Sequence, residues 1–200
     1  MLALIMGLLV FIGIHLVPAL APGFRGRISV RISLIGWRIA HSLLALIGLY
    51  LIVIGYASAR LEPVWLWFSP AWFNHITAVL MLIAFILVGS AWAPSNPIKY
   101  KLGYPGLLAV KTWAVSHLLV NGTLADLLLF GTFLTWASIS FATHRRRDRI
   151  SVKPVSQRIS QSKHRFRNLA VALVIGVSLT FVVALWLHPV LIGVSVISHS

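Results

Sequence analysis

The chain has 200 residues, 59% of them hydrophobic and 10% charged, with seventeen Lys and Arg, three acids and no Cys. A water-soluble globule needs about a quarter of its residues charged to coat its surface, so a mean hydropathy of +0.93 points to an integral membrane protein. The missing thiols exclude disulfides, thiolate-bound metals, iron–sulfur clusters and cysteine nucleophiles. The acids Glu62, Asp126 and Asp148 are too scattered for a carboxylate dyad or an oxygen-rich cation cage, which leaves histidine as the metal-ligating side chain.

Apolar stretches of about 20 residues predict six spans: Met1–Leu20, Leu34–Ala57, Ala71–Trp92, Gly106–Val120, Leu124–Thr143 and Leu169–Leu187. The expected fold is all-α, a polytopic bundle in one domain, because an open strand cannot satisfy its backbone in lipid. The fourth span is short, but Tyr104-Pro105-Gly106 and Asn121-Gly122 bracket it with turn chemistry and make a tight hairpin into the fifth. Cytoplasmic loops hold the excess of Lys and Arg. The first, third and fifth loops carry 16 of the 17 cations, which places them inside and both termini outside the cytoplasm. Ala19-Leu20-Ala21 has the look of a processing site, yet no basic residue precedes the first apolar run, and that order predicts a retained helix.

The pI near 11.7 would suggest nucleic acid in a soluble protein. Here the charge sits where topology puts it, so no nucleic-acid partner is expected. Residues 144–168 hold nine cations interleaved with Ser151, Ser156, Ser160, Ser162 and Pro154; this loop reads as a flexible cytoplasmic segment against anionic lipid headgroups. In the first loop Arg27, Arg31 and Arg38 fall within about 40° of one another on a continuous helical wheel. The expectation is an interfacial helix leading into the second span, its arginines snorkelling or forming a ledge for an anionic group.

Ionisable residues inside a membrane are functional candidates by default. Four of the eight histidines, His15, His41, His75 and His117, lie within the expected spans. Without thiols or carboxylate partners they suit haem b, whose iron two imidazoles from different helices can clamp. At about 1.5 Å per residue, His75 and His117 lie in an outer tier and His15 and His41 in a cytoplasmic one. Depth alone therefore favours His75 with His117. Ser116, Asn121, Thr123 and Asp126 surround His117 in sequence, and any of them is placed to orient its imidazole. Trp65, Trp67 and Trp72 read as an interfacial belt, while Trp113 and Trp136 lie deep enough to line a ligand pocket.

The stretch Lys111–Trp136, KTWAVSHLLVNGTLADLLLFGTFLTW, resembles the signature of the NnrU family of bacterial membrane proteins. Supporting pieces are His15-Leu16, Arg38 with Ile54-Gly55-Tyr56, His75 with the run from Leu80 to Phe85, and His188-Pro189. The resemblance covers nearly the whole chain. It implies a bacterial inner-membrane protein associated with denitrification and nitric-oxide metabolism. The family is in turn similar to the plant 15-cis-zeta-carotene isomerases, membrane enzymes that use ferrous haem b to isomerise a double bond. This likeness implies His117 and His15 as iron ligands and a lipid-soluble polyene among the expected substrates; from position alone, Arg31 or Arg38 is placed to pair with haem propionates, and Asn121 is a further candidate cofactor-binding residue beside His117. Two positions depart from the pattern. Ala114 stands where the isomerase has a Cys, and Tyr104 precedes Pro105 where family members commonly carry His.

Two function classes follow. One is a haem b protein acting as an oxidoreductase or isomerase; the other is a non-catalytic accessory or assembly protein for a denitrification enzyme, using His117, Asn121 and Asp126 only to lock helix packing. A transporter fits poorly, since paired intramembrane charges and a repeat between the halves are both missing.

Overall fold

A computed structural model of the chain describes residues 1–150 and 164–193. Helices run α1 (Leu2–Leu20), α2 (Pro22–Ala59), α3 (Phe73–Trp92), α4 (Pro97–Leu102), α5 (Pro105–Val120), α6 (Leu124–Ile150) and α7 (Arg165–Val182). A π-helical turn (Val183–Leu187) then leads into α8 (His188–Ile192). Among the described residues, five helical stretches are long and apolar enough to cross a bilayer: Leu2–Leu20, Ser33–Ala59, Phe73–Trp92, Leu124–Ile150 and Arg165–Val190. The sixth expected span, α5, is shorter at 16 residues, about 24 Å long at the helical rise. The protein is an all-α, multi-pass membrane protein. Of the basic 144–168 loop, Lys153, Arg158, Lys163 and the interleaved serines lie outside the described residues.

The expected continuous helix through the first loop is corrected at Ser33. Its φ of 65° and ψ of 164° break α2 there, a conformation that non-glycine residues rarely adopt. The Ser33 hydroxyl accepts the Gly36 N–H at 3.1 Å, as an N-cap does when it opens a new helix. The break falls before Arg38, so Arg38 does not share a wheel with Arg27.

The chain divides into two compact units. The first holds Met1–Phe73 and His117–Arg146; the second holds Asn74–Ser116 and, among the described residues, those from Arg147 onward. In the first unit α1 and α2 run antiparallel. Gly55 backs onto Leu4, Gly7 onto Ile52, and Gly48 onto Phe11, so close that a Cβ on Gly55 would lie 2.2 Å from the Leu4 nitrogen. Without a hydrophobic drive between helices in lipid, small residues that let backbones approach supply the dispersion contact. The inward face of α2 reads Gly48, Ile52, Gly55, Ala59, all buried. Its other side reads Leu43, Leu46, Tyr50, Val53, each more than half exposed. An apolar exterior of that extent has lipid as its solvent.

The second unit repeats the device. Gly89 on α3 and Gly176 on α7 bring these helices together, and a Cβ on Gly89 would lie 2.2 Å from the Ala172 carbonyl oxygen. Beyond α3 the chain is closed by Asn96, which is 1% exposed. Its side-chain oxygen accepts from Ser90 Oγ (2.9 Å) and from the Lys99 N–H (3.1 Å), and its amide donates to the Ser90 and Pro94 carbonyls. Asn96 thus N-caps α4, with Pro97 at the first helical position, where a missing N–H is harmless. The Lys99 ammonium donates to the Ala93 carbonyl, and burial holds its pKa below the usual lysine range. Asn168 at the start of α7 donates to the Ser95 carbonyl at 2.8 Å. Asn96→Ala removes a cap and strands buried partners, so a loss of about 2 to 3 kcal/mol is expected. Thermal unfolding in detergent should show a Tm lower by several degrees.

Candidate cofactor site

Histidine 15 sits in α1 one turn after Phe11. Its Nδ1 donates to the Phe11 carbonyl at 2.6 Å, a bond that selects the Nδ1–H tautomer and leaves Nε2 with its lone pair. Fixing one imidazole nitrogen so that the other can bind iron is how ligating histidines are held. Among the described residues Nε2 makes no hydrogen bond. The ring is walled by aromatics: Phe11 stacks on it at 4.3 Å, His41 of α2 meets it edge-on at 5.2 Å, and Trp136 of α6 meets it edge-on at 6.0 Å. Trp37 lies 5.9 Å from His41 and Phe133 lies 5.7 Å from Phe11. The antiparallel register of α1 and α2 puts the two imidazoles at one level, the tier that residue depth predicts.

His117 lies elsewhere in the same unit. It is part-buried near the end of α5 and packs on Phe130 at 4.7 Å. Phe130 and Trp136 are six residues apart on α6, about 9 Å along the axis, and that interval separates the level of His117 from the level of His15. The residues expected around His117 have defined tasks. Asn121 donates its backbone N–H to the His117 carbonyl, and Ser116 Oγ donates to the Trp113 carbonyl at 2.8 Å. Thr123 and Asp126 bond to each other, and Asp126 also accepts from the Tyr56 hydroxyl. His75 is exposed in the first turn of α3, in the other unit, and Arg38 is exposed five residues past the Ser33 break. His188 opens α8.

The hairpin that carries His117 is locked from two sides. Thr123 caps α6 and Asp126 reaches back to it: Asp126 Oδ2 accepts the Thr123 N–H at 3.0 Å and its hydroxyl at 2.5 Å, while Thr123 Oγ1 accepts the Asp126 N–H at 3.2 Å. This is a capping box with an acid in the first turn, where the helix dipole favours it. The other oxygen, Oδ1, accepts the Tyr56 hydroxyl of α2 at 2.6 Å. Opposite, the loop after α2 is laid over the hairpin as a strap. Leu66 and Trp67 donate to the Gly122 carbonyl, Leu124 donates to the Val64 carbonyl, and Ser69 Oγ donates to the Leu119 carbonyl. An isolated antiparallel bridge pairs Trp65 with Thr123. This strap satisfies the backbone of the turn that follows the short α5. A model of the NnrU protein family matches residues 3–196.

The chain belongs to the NnrU family. Neither a curated protein nor a solved structure matches it. In this NnrU-family chain the residues of the signature stretch divide between two jobs: His117 and Trp136 face aromatic surroundings, while Asn121, Gly122, Thr123 and Asp126 build the hairpin. Three features escaped the reading of the sequence. Tyr56 as the partner of Asp126 is 70 residues away and carries no local signal. The Asn96 cap was signalled by Ser95-Asn96-Pro97, a capping residue followed by proline. His41 next to His15 was signalled by their shared depth, although the pair was passed over for His117.

Proposed function

We propose that this NnrU-family membrane protein binds haem b in the bacterial inner membrane, with both termini outside the cytoplasm. Its proposed role is in nitric-oxide-related redox metabolism or in isomerising a lipid-soluble polyene. The observation that carries the reading is His15, a part-buried imidazole in an apolar helix pair, whose Nδ1 is tied to a carbonyl and whose Nε2 is left for a ligand, with Phe11, His41 and Trp136 around the ring. The donor set suits haem: neutral imidazoles, no thiolate, and flat aromatic side chains for a macrocycle to lie against. His15 would hold the iron, with His41 beside it at 5.2 Å from ring to ring as the second imidazole; His117, about 9 Å further along α6, would border the cofactor without sharing that iron.

Bound haem would supply one-electron chemistry, or a Lewis-acidic iron if one axial position opens. The protein's part is to fix the ligand tautomer through Phe11 and to exclude water with the aromatic walls. It also anchors the His117 hairpin through Asp126. The exposed arginines Arg145, Arg146 and Arg149 at the end of α6 would lie against anionic headgroups. The test is the absorption spectrum of detergent-purified protein from haem-sufficient cells, oxidised and reduced. A low-spin imidazole signature that is lost in His15→Ala and altered in His41→Ala is expected. A folded, colourless wild-type protein overturns the proposal and leaves the accessory role standing.

A further inference from the structure

Between α1 and α6 an open-sided groove of about 330 Å³ runs along the first unit. Its walls include Ile12 and Leu16 on one side and Leu128 and Ile139 on the other, and Thr132 and Trp136 also line it. These last two are four residues apart on α6, so they share one face, one turn above the other. Both carry hydrogen-bond donors that the protein does not use. The Trp136 indole nitrogen is buried without a partner. Thr132 also makes no side-chain hydrogen bond among the described residues, whereas Thr112, Thr135, Thr143 and Thr180 each donate to the carbonyl four residues back. Unused donors in hydrocarbon are costly. The remaining lining is apolar apart from Thr135, whose hydroxyl already donates to the Gly131 carbonyl.

We infer that this groove binds a lipophilic carbonyl compound of the quinone class, its oxygens accepting from Thr132 and Trp136 and its tail leaving along the open side into lipid. The chemistry excludes the neighbouring ligand classes. A pure hydrocarbon, an acyl chain or a carbonyl-free polyene leaves both donors unpaired. A phosphate or ammonium headgroup would be desolvated against walls with no counter-charge. A few polar groups set in an otherwise apolar cleft of this size is the usual make-up of a small-molecule site. The Trp136 ring lies 6.0 Å from that of His15, so an occupant would rest one indole away from the imidazole pair. The inference does not depend on iron being bound there.

Decyl-ubiquinone titrated into detergent-purified protein, both haem-free and haem-loaded, tests this. Saturable binding and a raised Tm are expected in both forms. Thr132→Val, which keeps the side chain's shape and deletes the hydroxyl, should weaken Kd by about five- to tenfold, the equivalent of one lost hydrogen bond. Trp136→Phe should do the same, and Gly131→Leu, which fills the groove, should weaken binding further. Equal binding of a carbonyl-free polyene of similar length, or an unchanged Kd in Thr132→Val, overturns the assignment. If Trp136→Phe does not fold, Thr132→Val alone decides. A colourless protein that still binds the quinone separates this site from the fate of the haem proposal.

Discussion

Gly122→Ala should leave little folded protein in the membrane, the largest effect of any single methyl group in the molecule. A Cβ at this position would lie 1.9 Å from the Trp67 carbonyl oxygen and 2.8 Å from its carbon. The obstacle is backbone, so no rotamer change relieves it. The carbonyl of Gly122 meanwhile accepts from both Leu66 and Trp67, and pushing the strap away would strip the hairpin turn of its partners in an apolar layer. Overpacking alone costs about 1 to 3 kcal/mol, and unpaired backbone groups add a similar amount each. The measurement is the monodisperse yield and Tm by fluorescence-detected size exclusion, with Gly13→Ala as the control. Nothing lies within 4 Å of a Cβ on Gly13, so that variant should behave as wild type. Equal Tm values for the two substitutions would remove the strap from this account.

The second large effect belongs to Asp126. Its carboxylate, 4% exposed, accepts from the Tyr56 hydroxyl, the Thr123 hydroxyl and the Thr123 N–H. Asp126→Ala orphans all three donors and removes the first-turn acid of α6, so a loss of about 3 to 5 kcal/mol is expected. Asp126→Asn keeps an acceptor for Tyr56 but turns an amide donor towards the Thr123 N–H, and should fall between alanine and wild type. Tyr56→Phe deletes one hydrogen bond without leaving a charge unsatisfied on every side, and about 1 to 2 kcal/mol is expected. Ranked Tm values in detergent, with Ala lowest, then Asn, then Phe at position 56, check the order. If Tyr56→Phe proves as damaging as Asp126→Ala, the carboxylate's other bonds contribute nothing. Should the haem proposal hold, these variants also loosen His117, three residues before the Val120 end of the helix that the hairpin follows.

Much of the architecture was readable beforehand because a bilayer leaves few choices. Runs of apolar residues about as long as the hydrocarbon layer is thick have to be helices, and the helix limits differ from those expected by a few residues at most ends. The larger difference is α6, which continues to Ile150 because residues 144–150 contain no helix breaker. Ser33 was not readable as a break, since serine is ordinary within a helix and its cap becomes visible only once the chain turns there. The site divides in the same way. That histidines are the candidate ligands followed from composition; that His15 has one nitrogen tethered and His41 for a neighbour followed from how α1 lies on α2. Depth along a helix is one-dimensional and says nothing of azimuth, so it ranked pairs by level alone.

The sequence by itself determined that this chain crosses a membrane as helices and belongs with NnrU, because transfer free energies and residue chemistry act on each segment independently. Only the tertiary structure decided which glycines allow backbones to touch, that Tyr56 reaches Asp126 across 70 residues, and that Trp136 lies between an imidazole pair and a groove with unused donors. Those facts depend on the rotation and register of one helix against another, which packing of whole surfaces fixes and no local stretch encodes.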